Sequence, residues 1–457
     1  MGIKALDIVK WYHGHEFFFH WIHREIKIVQ MTMMMLPIFF LLFISLPSHL
    51  LSLSIYEDQD YGRLVPDVIK SRGFELETHQ VITDDSYILT VFRIVNPLAP
   101  KTPKSLKPVV LSHGLVGSGN DFLVTTPGGD LNETIYKNRK DLDNVDFDKD
   151  GNNLGFILAN LGYDVWLLQS RGTYYSLGHQ IYDADKDAEY WQFTFDDMAL
   201  SDAPAVIGHI LNVTQREDVA WIGHSQGTST MFALLADRPE YSKKVKPFIA
   251  LGPAVRMDNS RASIVGFPFV QDLLITAGHR CFGPSFLTRK FAKFCENPIF
   301  NKICAQLSGV LLGFDKKMIN ETRLPIYVWN DPSGTSCWNL AHFGQIIHNK
   351  QFKKMDYGWR KNLERYGSVH PPKYDLAKID SPDIALFYGP ADTTVGAGDV
   401  DKLIDELQVD LLLDYEIPAP NWNHLDHIFS SQTGLYQNNV IALLLDQYRD
   451  GQIKSMN

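Results

Sequence analysis

Cysteine is scarce in this 457-residue chain, which has four, all between Cys281 and Cys337. None forms a Cys-x-x-Cys pair or neighbours a histidine pattern, so a zinc site is a poorer reading than disulfide pairing. Cys295 and Cys304 close a short loop and are the first choice for a pair. Basic clusters are also missing. With 43 Lys and Arg against 53 Asp and Glu, a net charge of -10 and a pI near 5.9, nucleic acid is excluded as a partner. Asp146, Asp148 and Asp150 are spaced like part of a calcium loop, but the glutamate that closes an EF-hand is absent. The polar stretch 126–152 therefore reads as a solvated surface insertion.

Long apolar runs are absent too, with one exception: Met31 to Leu53 is nearly uncharged and follows a polar segment containing Lys4, Lys10, Arg24 and Lys27. This reads as a signal peptide cleaved after Ser54, with translation starting at a methionine between Met31 and Met35. The alternative is an uncleaved signal anchor that tethers the protein to a membrane, because the run is about long enough to span a bilayer. Pro37, Pro47 and His49 count against the anchor. Entry into the secretory pathway agrees with three Asn-x-Ser/Thr sequons, at Asn132, Asn212 and Asn320. It also supplies the oxidising compartment that disulfides require.

The mature chain is long enough to bury a large core, as one domain with an insertion or as two domains. Phe74 to Val95 alternates apolar and polar residues around Asp84-Asp85, the pattern of a hairpin. Val109 to Ser112 and Asp164 to Leu168 are short apolar runs suited to strands buried on both faces. Leu154 to Leu161 reads as a helix between them, and alternating strands and helices imply a parallel sheet. Val219 to Gly227 (VAWIGHSQG) then reads as strand, sharp turn, helix. Its Gly-x-Ser-x-Gly pattern lets strand and helix approach closely and thrusts the Ser225 hydroxyl out of the turn.

A serine hydroxyl is a weak nucleophile without a base, and the base needs a carboxylate to orient it. Two later strands end where such groups would be useful. Ile384 to Tyr388 leads into Asp392, and Leu411 to Ile417 leads into Asn423-His424-Leu425-Asp426-His427. The order Ser225, Asp392, His424 is that of a strand-elbow hydrolase. His427 reads as a structural histidine. After Val109 to Ser112 comes His113-Gly114-Leu115-Val116-Gly117-Ser118, a loop suited to donating backbone amides to an oxyanion. The expected donors are Leu115 and Gln226. Residues 256–367 hold every cysteine and many aromatics, too long a stretch for a loop, and read as a cap inserted over the site.

Several of these segments together resemble the acid lipases, the family of lysosomal acid lipase, gastric lipase and their arthropod relatives. The resemblance is carried by ETHQVITDDSYILTVFRI, HGLVGS, GYDVWLLQSRGTYYS, GHSQGT, GTSCWNLAHFGQ, the DYG, YG and PPKYDL run, and NHLDHI. It implies an α/β-hydrolase fold with a mostly parallel central sheet and an inserted, largely helical cap. The implied parts are an N-terminal region and signal peptide (1–54), two core portions (55–255 and 368–457) and the cap (256–367). It implies Ser225, Asp392 and His424 as nucleophile, acid and base, and a Cys295–Cys304 disulfide in the cap, leaving Cys281 and Cys337 unassigned. The implied activity is hydrolysis of neutral lipid esters at a lipid-water interface by a secreted or lysosomal enzyme, without metal or organic cofactor. Oligomeric state is not legible. Three positions depart from the family pattern: Ser86 stands where glycine is usual, Gln169 where asparagine is usual, and Trp338 where glutamine is usual. Two other functions use the same fold: a non-catalytic lipid carrier or yolk-like protein, and a carboxylesterase for small soluble esters.

Overall fold

The computed structural model describes residues 58–449 apart from 103, 261–262, 284–285, 298–299 and 307–316. The apolar run at 31–53 and the expected cleavage after Ser54 lie outside the described residues. Within them, no helix is long and apolar enough to cross a membrane. Eleven strands are described. The alternating stretch folds as an antiparallel hairpin of β1 (Glu75–Ile82) and β2 (Tyr87–Val95), registered Glu75 to Val95 and Ile82 to Ile88. Ser86 occupies the turn at φ 77°, which explains why a glycine would also serve there.

The apolar runs become strands buried along their length: β3 (Pro108–Ser112), β4 (Asp164–Leu168), β6 (Val219–His224) and β10 (Ile384–Tyr388). A two-residue strand β5 (Gly178–His179) pairs with β2. With β7 (Val245–Leu251) and β11 (Leu413–Glu416), the sheet runs in the order β1-β2-β4-β3-β6-β7-β10-β11. From β4 to β11 every pairing is parallel, and β2 joins β4 antiparallel. A separate small ladder joins β8 (Arg280–Cys281) to β9 (Thr335–Ser336).

Helices of seven or more residues are numbered in chain order among the described residues. They begin with α1 (Val65–Ser71), α2 (Leu154–Asn160), α3 (Ala203–Thr214) and α4 (Gln226–Asp237). The sheet's chain path turns back at one place. β3 passes through α2 to β4 on one side, whereas β6 passes through α4 to β7 on the other. The crevice between the carboxyl ends of β3 and β6 is thus a topological switch point, where open parallel sheets bind their ligands.

Between β7 and β10 the chain is largely helical. It comprises α5 (Pro268–Ala277), α6 (Phe286–Cys295), α7 (Leu324–Asn330), α8 (Cys337–Asn349) and α9 (Trp359–Tyr366). Disulfides Cys281–Cys337 and Cys295–Cys304 staple it. The final helices are α10 (Ala397–Glu406) and α11 (Asn439–Arg449). The polar stretch after Thr126 contains two short helices, Glu133–Lys137 and Phe147–Asp150, and Ile135 and Tyr136 of the first are buried.

Two buried ionic clusters tie these parts together. Arg323, just before α7, bonds Asp58, Asp60 and the Val124 carbonyl, and Asp60 also binds Arg72. Arg171, beyond β4, holds Asp85 and Asp202 and lies 3.8 Å over the Tyr87 ring. Its side chain is fully buried. Replacing Arg171 by Met strands the buried Asp202 carboxylate, Asp85 being solvent-exposed, and removing one partner of a buried pair costs about 3–5 kcal/mol. Arg171→Met should lose that much in urea unfolding; a loss below about 1 kcal/mol would contradict the role given to this cluster.

Candidate active site

Ser225 follows β6 at φ 51° and ψ -114°, outside the regions open to ordinary L residues. Its neighbours hold it there. The Ser225 amide donates to the Leu251 carbonyl at 2.9 Å, and the Ser225 carbonyl accepts from the Thr228 amide at 2.8 Å. The elbow must also be thin. A Cβ on Gly227 would stand 2.3 Å from the Ser112 carbonyl, so only glycine lets α4 start so close to β3. A Cβ on Gly114 would stand 3.0 Å from the His224 ring, so a larger residue there would press that ring aside.

Three side chains from three loops meet here. His424 Nε2 lies 2.8 Å from Ser225 Oγ, and His424 Nδ1 lies 2.8 Å from Asp392 Oδ2. Ser225 donating to Nε2 requires the ring proton on Nδ1, where it donates to the carboxylate. The other carboxylate oxygen of Asp392 accepts from the Thr394 and Val395 amides at 2.7 and 2.8 Å. Burial pushes the Asp392 carboxyl upward, but the His424 ring and these two amides outweigh it, so the group sits below the ordinary value. It is an anion aimed at an imidazole.

Leu115 lies in the loop after β3 and Gln226 follows the serine, so both residues sit at the carboxyl end of the sheet. Neither backbone amide donates to another group among the described residues. The Gln226 side chain is held from the helical segment, where Asn339 of α8 donates to its Oε1 at 2.6 Å. Asn339 is itself buried and bonded to Thr335.

Sequence reasoning missed the groups that position these loops. Asn423 Oδ1 accepts from the Thr393 amide at 3.0 Å and from the His424 amide at 2.8 Å, lacing the aspartate loop to the histidine loop. The Asp426 carboxylate accepts from the Asn423 amide at 2.7 Å. The signal was present in Asn-His-Leu-Asp-His, but only its first histidine carried a chemical role. His113 accepts from the Ser170 amide at 3.1 Å and contacts the Gly114 carbonyl at 2.8 Å. Gln169 accepts from the Gly119 amide at 3.1 Å, which gives the side chain that replaces asparagine a task in the same loop. Trp338 donates to the Ile275 carbonyl and packs on Tyr357.

The other histidines of the site are held neutral. Burial pushes His113 and His427 down to about 4, and burial with the neighbouring His424 and His427 pushes His224 well below its ordinary value. His427 contacts Gln437 Oε1 at 2.6 Å and does not reach the serine. Of the sequon asparagines, Asn212 is exposed on α3. Asn132 and Asn320 are partly exposed caps of short helical turns.

A nucleophile elbow at the switch point of a mostly parallel sheet, facing a histidine and a carboxylate from later loops, defines the class of serine ester hydrolases with the α/β hydrolase fold. Two family models agree: "Partial alpha/beta-hydrolase lipase region" matches residues 65–126, and "alpha/beta hydrolase fold" matches residues 107–274. Lysosomal acid lipase/cholesteryl ester hydrolase of Macaca fascicularis is 32% identical over 84% of this chain and 91% of its own. Gastric triacylglycerol lipase of Bos taurus is 32% identical over 83% of this chain and 90% of its own. Human lipase member K is 30% identical over 84% and 91%. The chain belongs to the acid lipase family, with lysosomal acid lipase and gastric lipase.

The depressed Asp392 group makes a prediction about acid stability. A carboxyl lowered in the native state contributes stability that is present above the ordinary aspartate value, and that is lost as pH falls through its native value. The Tm difference between wild type and Asp392→Asn should therefore be steady from about pH 5 to pH 7 and close below about pH 4. A difference that widens with acid would contradict the ionised assignment.

Proposed function

We propose that this protein is a lipase that hydrolyses the carboxylic ester bonds of neutral lipids, triacylglycerols or cholesteryl esters, at a lipid-water interface. The observation that carries the proposal is the unbroken hydrogen-bonded relay from Ser225 through His424 to Asp392, at 2.8 Å in both steps.

Ser225 Oγ attacks the ester carbonyl while His424 Nε2 takes its proton. Asp392 stabilises the imidazolium and keeps its ring in register. The tetrahedral oxyanion accepts from the Leu115 and Gln226 amides, each such donor being worth on the order of 3 kcal/mol. Collapse breaks the bond to the alcohol oxygen, which receives the proton from His424. Water, deprotonated by the same ring, then attacks the acyl-enzyme and releases the fatty acid. No step calls on a metal or organic cofactor.

The substrate reading draws on the relatives and on the helical segment, which we take, at 256–367, to be a cap. Its α5 exposes Phe269 and Leu273 at 69% and 67%, with Phe267 beside them at 53% and Phe282 at 60%. Burying these side chains in lipid is worth about 25 cal/mol per Å² of apolar surface. α5 packs on α8, the helix whose Asn339 holds Gln226, so a lipid surface at α5 has a direct structural path to the elbow. The proposed setting is the secretory pathway, either outside the cell or in the lysosome. The two disulfides and the placement of Asn132, Asn212 and Asn320 as glycan acceptors support it.

Hydrolysis of short soluble p-nitrophenyl esters and of emulsified long-chain triacylglycerol tests this reading. Ser225→Ala should lower turnover on both by at least about 10⁴-fold. A Phe269→Glu, Leu273→Glu double variant should lose emulsion activity at least about tenfold while keeping the soluble reaction. Turnover independent of Ser225 would overturn the mechanism, and strict preference for acetyl esters in solution would overturn the lipase assignment.

A further inference from the structure

The loop after β3 carries Leu115, and its conformation is costly in isolation. Val116 holds φ 59°, where a β-branched side chain is a genuine outlier. The chain at the end of α7 holds this loop in place. The Ser333 amide donates to the Val116 carbonyl at 2.6 Å, and the Asn120 side-chain amide donates to Asn330 Oδ1 at 2.6 Å. The next residue on each side, Asp121 and Asp331, sets its carboxyl against the other, and Oδ1 of each is buried.

That pair is unusual in its surroundings. Asp121 is 2% exposed, and it is packed so closely on the loop that a Cβ on Gly117 would stand 2.3 Å from its Oδ2. The groups acting on the pair are the Ser118 amide at Asp121, the Ser118 side chain at Asp331, and the phenol of Tyr175 near Asp331. The Arg280 guanidinium is engaged at the Ser333 carbonyl. No cation pairs with either carboxyl among the described residues, and Oδ1 of each has no hydrogen-bond partner. Asp331 is partly exposed as a residue although its Oδ1 is buried, and two adjacent carboxyls without a cation oppose a second charge.

We propose that Asp121 and Asp331 are positioning residues that share one proton, and that this proton locks the oxyanion loop to the end of α7 in the shape that aims the Leu115 amide at the substrate. The inference rests on the catalytic reading above, since it gives that amide its task. Burial pushes the Asp121 carboxyl up to about 7 and, with Asp121 beside it, pushes Asp331 well above the ordinary range. The sign follows. A carboxyl raised in the native state contributes stability that is fully present below the ordinary aspartate value and is lost as pH rises towards the native one. In acid the bridge is made. As the proton leaves, two adjacent carboxylates repel, and the strain at Val116 is released by movement of the loop. Turnover then falls through kcat rather than KM, because the donor acts on the transition state.

The test is the pH profile of kcat and KM on a short soluble ester for the full-length protein and for Asp121→Asn, Asp331→Asn and Asp121→Ala. An asparagine amide donates the same bond without titrating. In both Asn variants the alkaline limb of kcat should move up by about one pH unit or more, while acid-side kcat stays within about threefold. Asp121→Ala should lose about tenfold in kcat even in acid, with KM within about twofold. An unmoved alkaline limb in both Asn variants overturns the inference. A second readout is independent of catalysis: the infrared C=O band of an un-ionised buried carboxyl, recorded in Ser225→Ala protein near pH 6 and again with Asp121→Asn added. Its loss with Asp121→Asn supports the shared proton, and its absence before that substitution overturns it whether or not the esterase reading stands.

Discussion

A serine can hold a backbone φ of 51° only where the chain is clamped on both sides, and that clamp organises the whole molecule. On one side Ser225 is tied to β7 through the Leu251 carbonyl; on the other, α4 starts within a glycine's width of β3. Both contacts need the strands to be parallel and adjacent, in the order β3-β6-β7. Parallel strands place all their following loops at one end, so the histidine and aspartate loops arrive there for the same reason. The relay is a product of sheet topology.

The electrostatics follow from how little water reaches this end of the sheet. Three histidines around the serine, His113, His224 and His427, are buried and neutral and serve as hydrogen-bonding spacers. The one carboxylate in contact with the relay has its negative charge balanced by two amides and a ring. Larger charges are kept in separate clusters around Arg171 and Arg323, each satisfied by carboxylates or carbonyls. The Arg323 cluster also braces the chain at Val124, just beyond the oxyanion loop. The Tyr327 hydroxyl does the same at the Thr125 carbonyl. The helical segment thus acts on the site through contacts rather than chemistry.

The parts that were legible in the amino-acid sequence are those with local signatures. The hairpin showed as alternation, the buried strands as short apolar runs, and Ser225 as a glycine-flanked serine between strand and helix. Asp392 and His424 were legible because each follows a strand. The family resemblance covered the same segments and implied the cap disulfide. Long-range contacts left no such mark. Asn423 looked like a neighbour of the histidine, although its side chain joins two loops 30 residues apart. Asn339 lies 113 residues from the Gln226 it anchors. Asp121 and Asp331 are ordinary aspartates until folding brings them together, and the Cys281–Cys337 pair spans 56 residues and was left unassigned. Such pairings depend on how the helical segment packs, which no periodicity encodes.

The central claim is that the relay makes Ser225, among all the serines of the chain, a nucleophile. Stoichiometric inactivation by a p-nitrophenyl phosphonate tests it directly, with the modified peptide located by mass spectrometry. The account predicts one equivalent of p-nitrophenol released, a single adduct on Ser225, and a rate that falls by at least about 10³-fold in His424→Ala. Adducts scattered over several serines, or a Ser225 adduct formed at the same rate without His424, would contradict it.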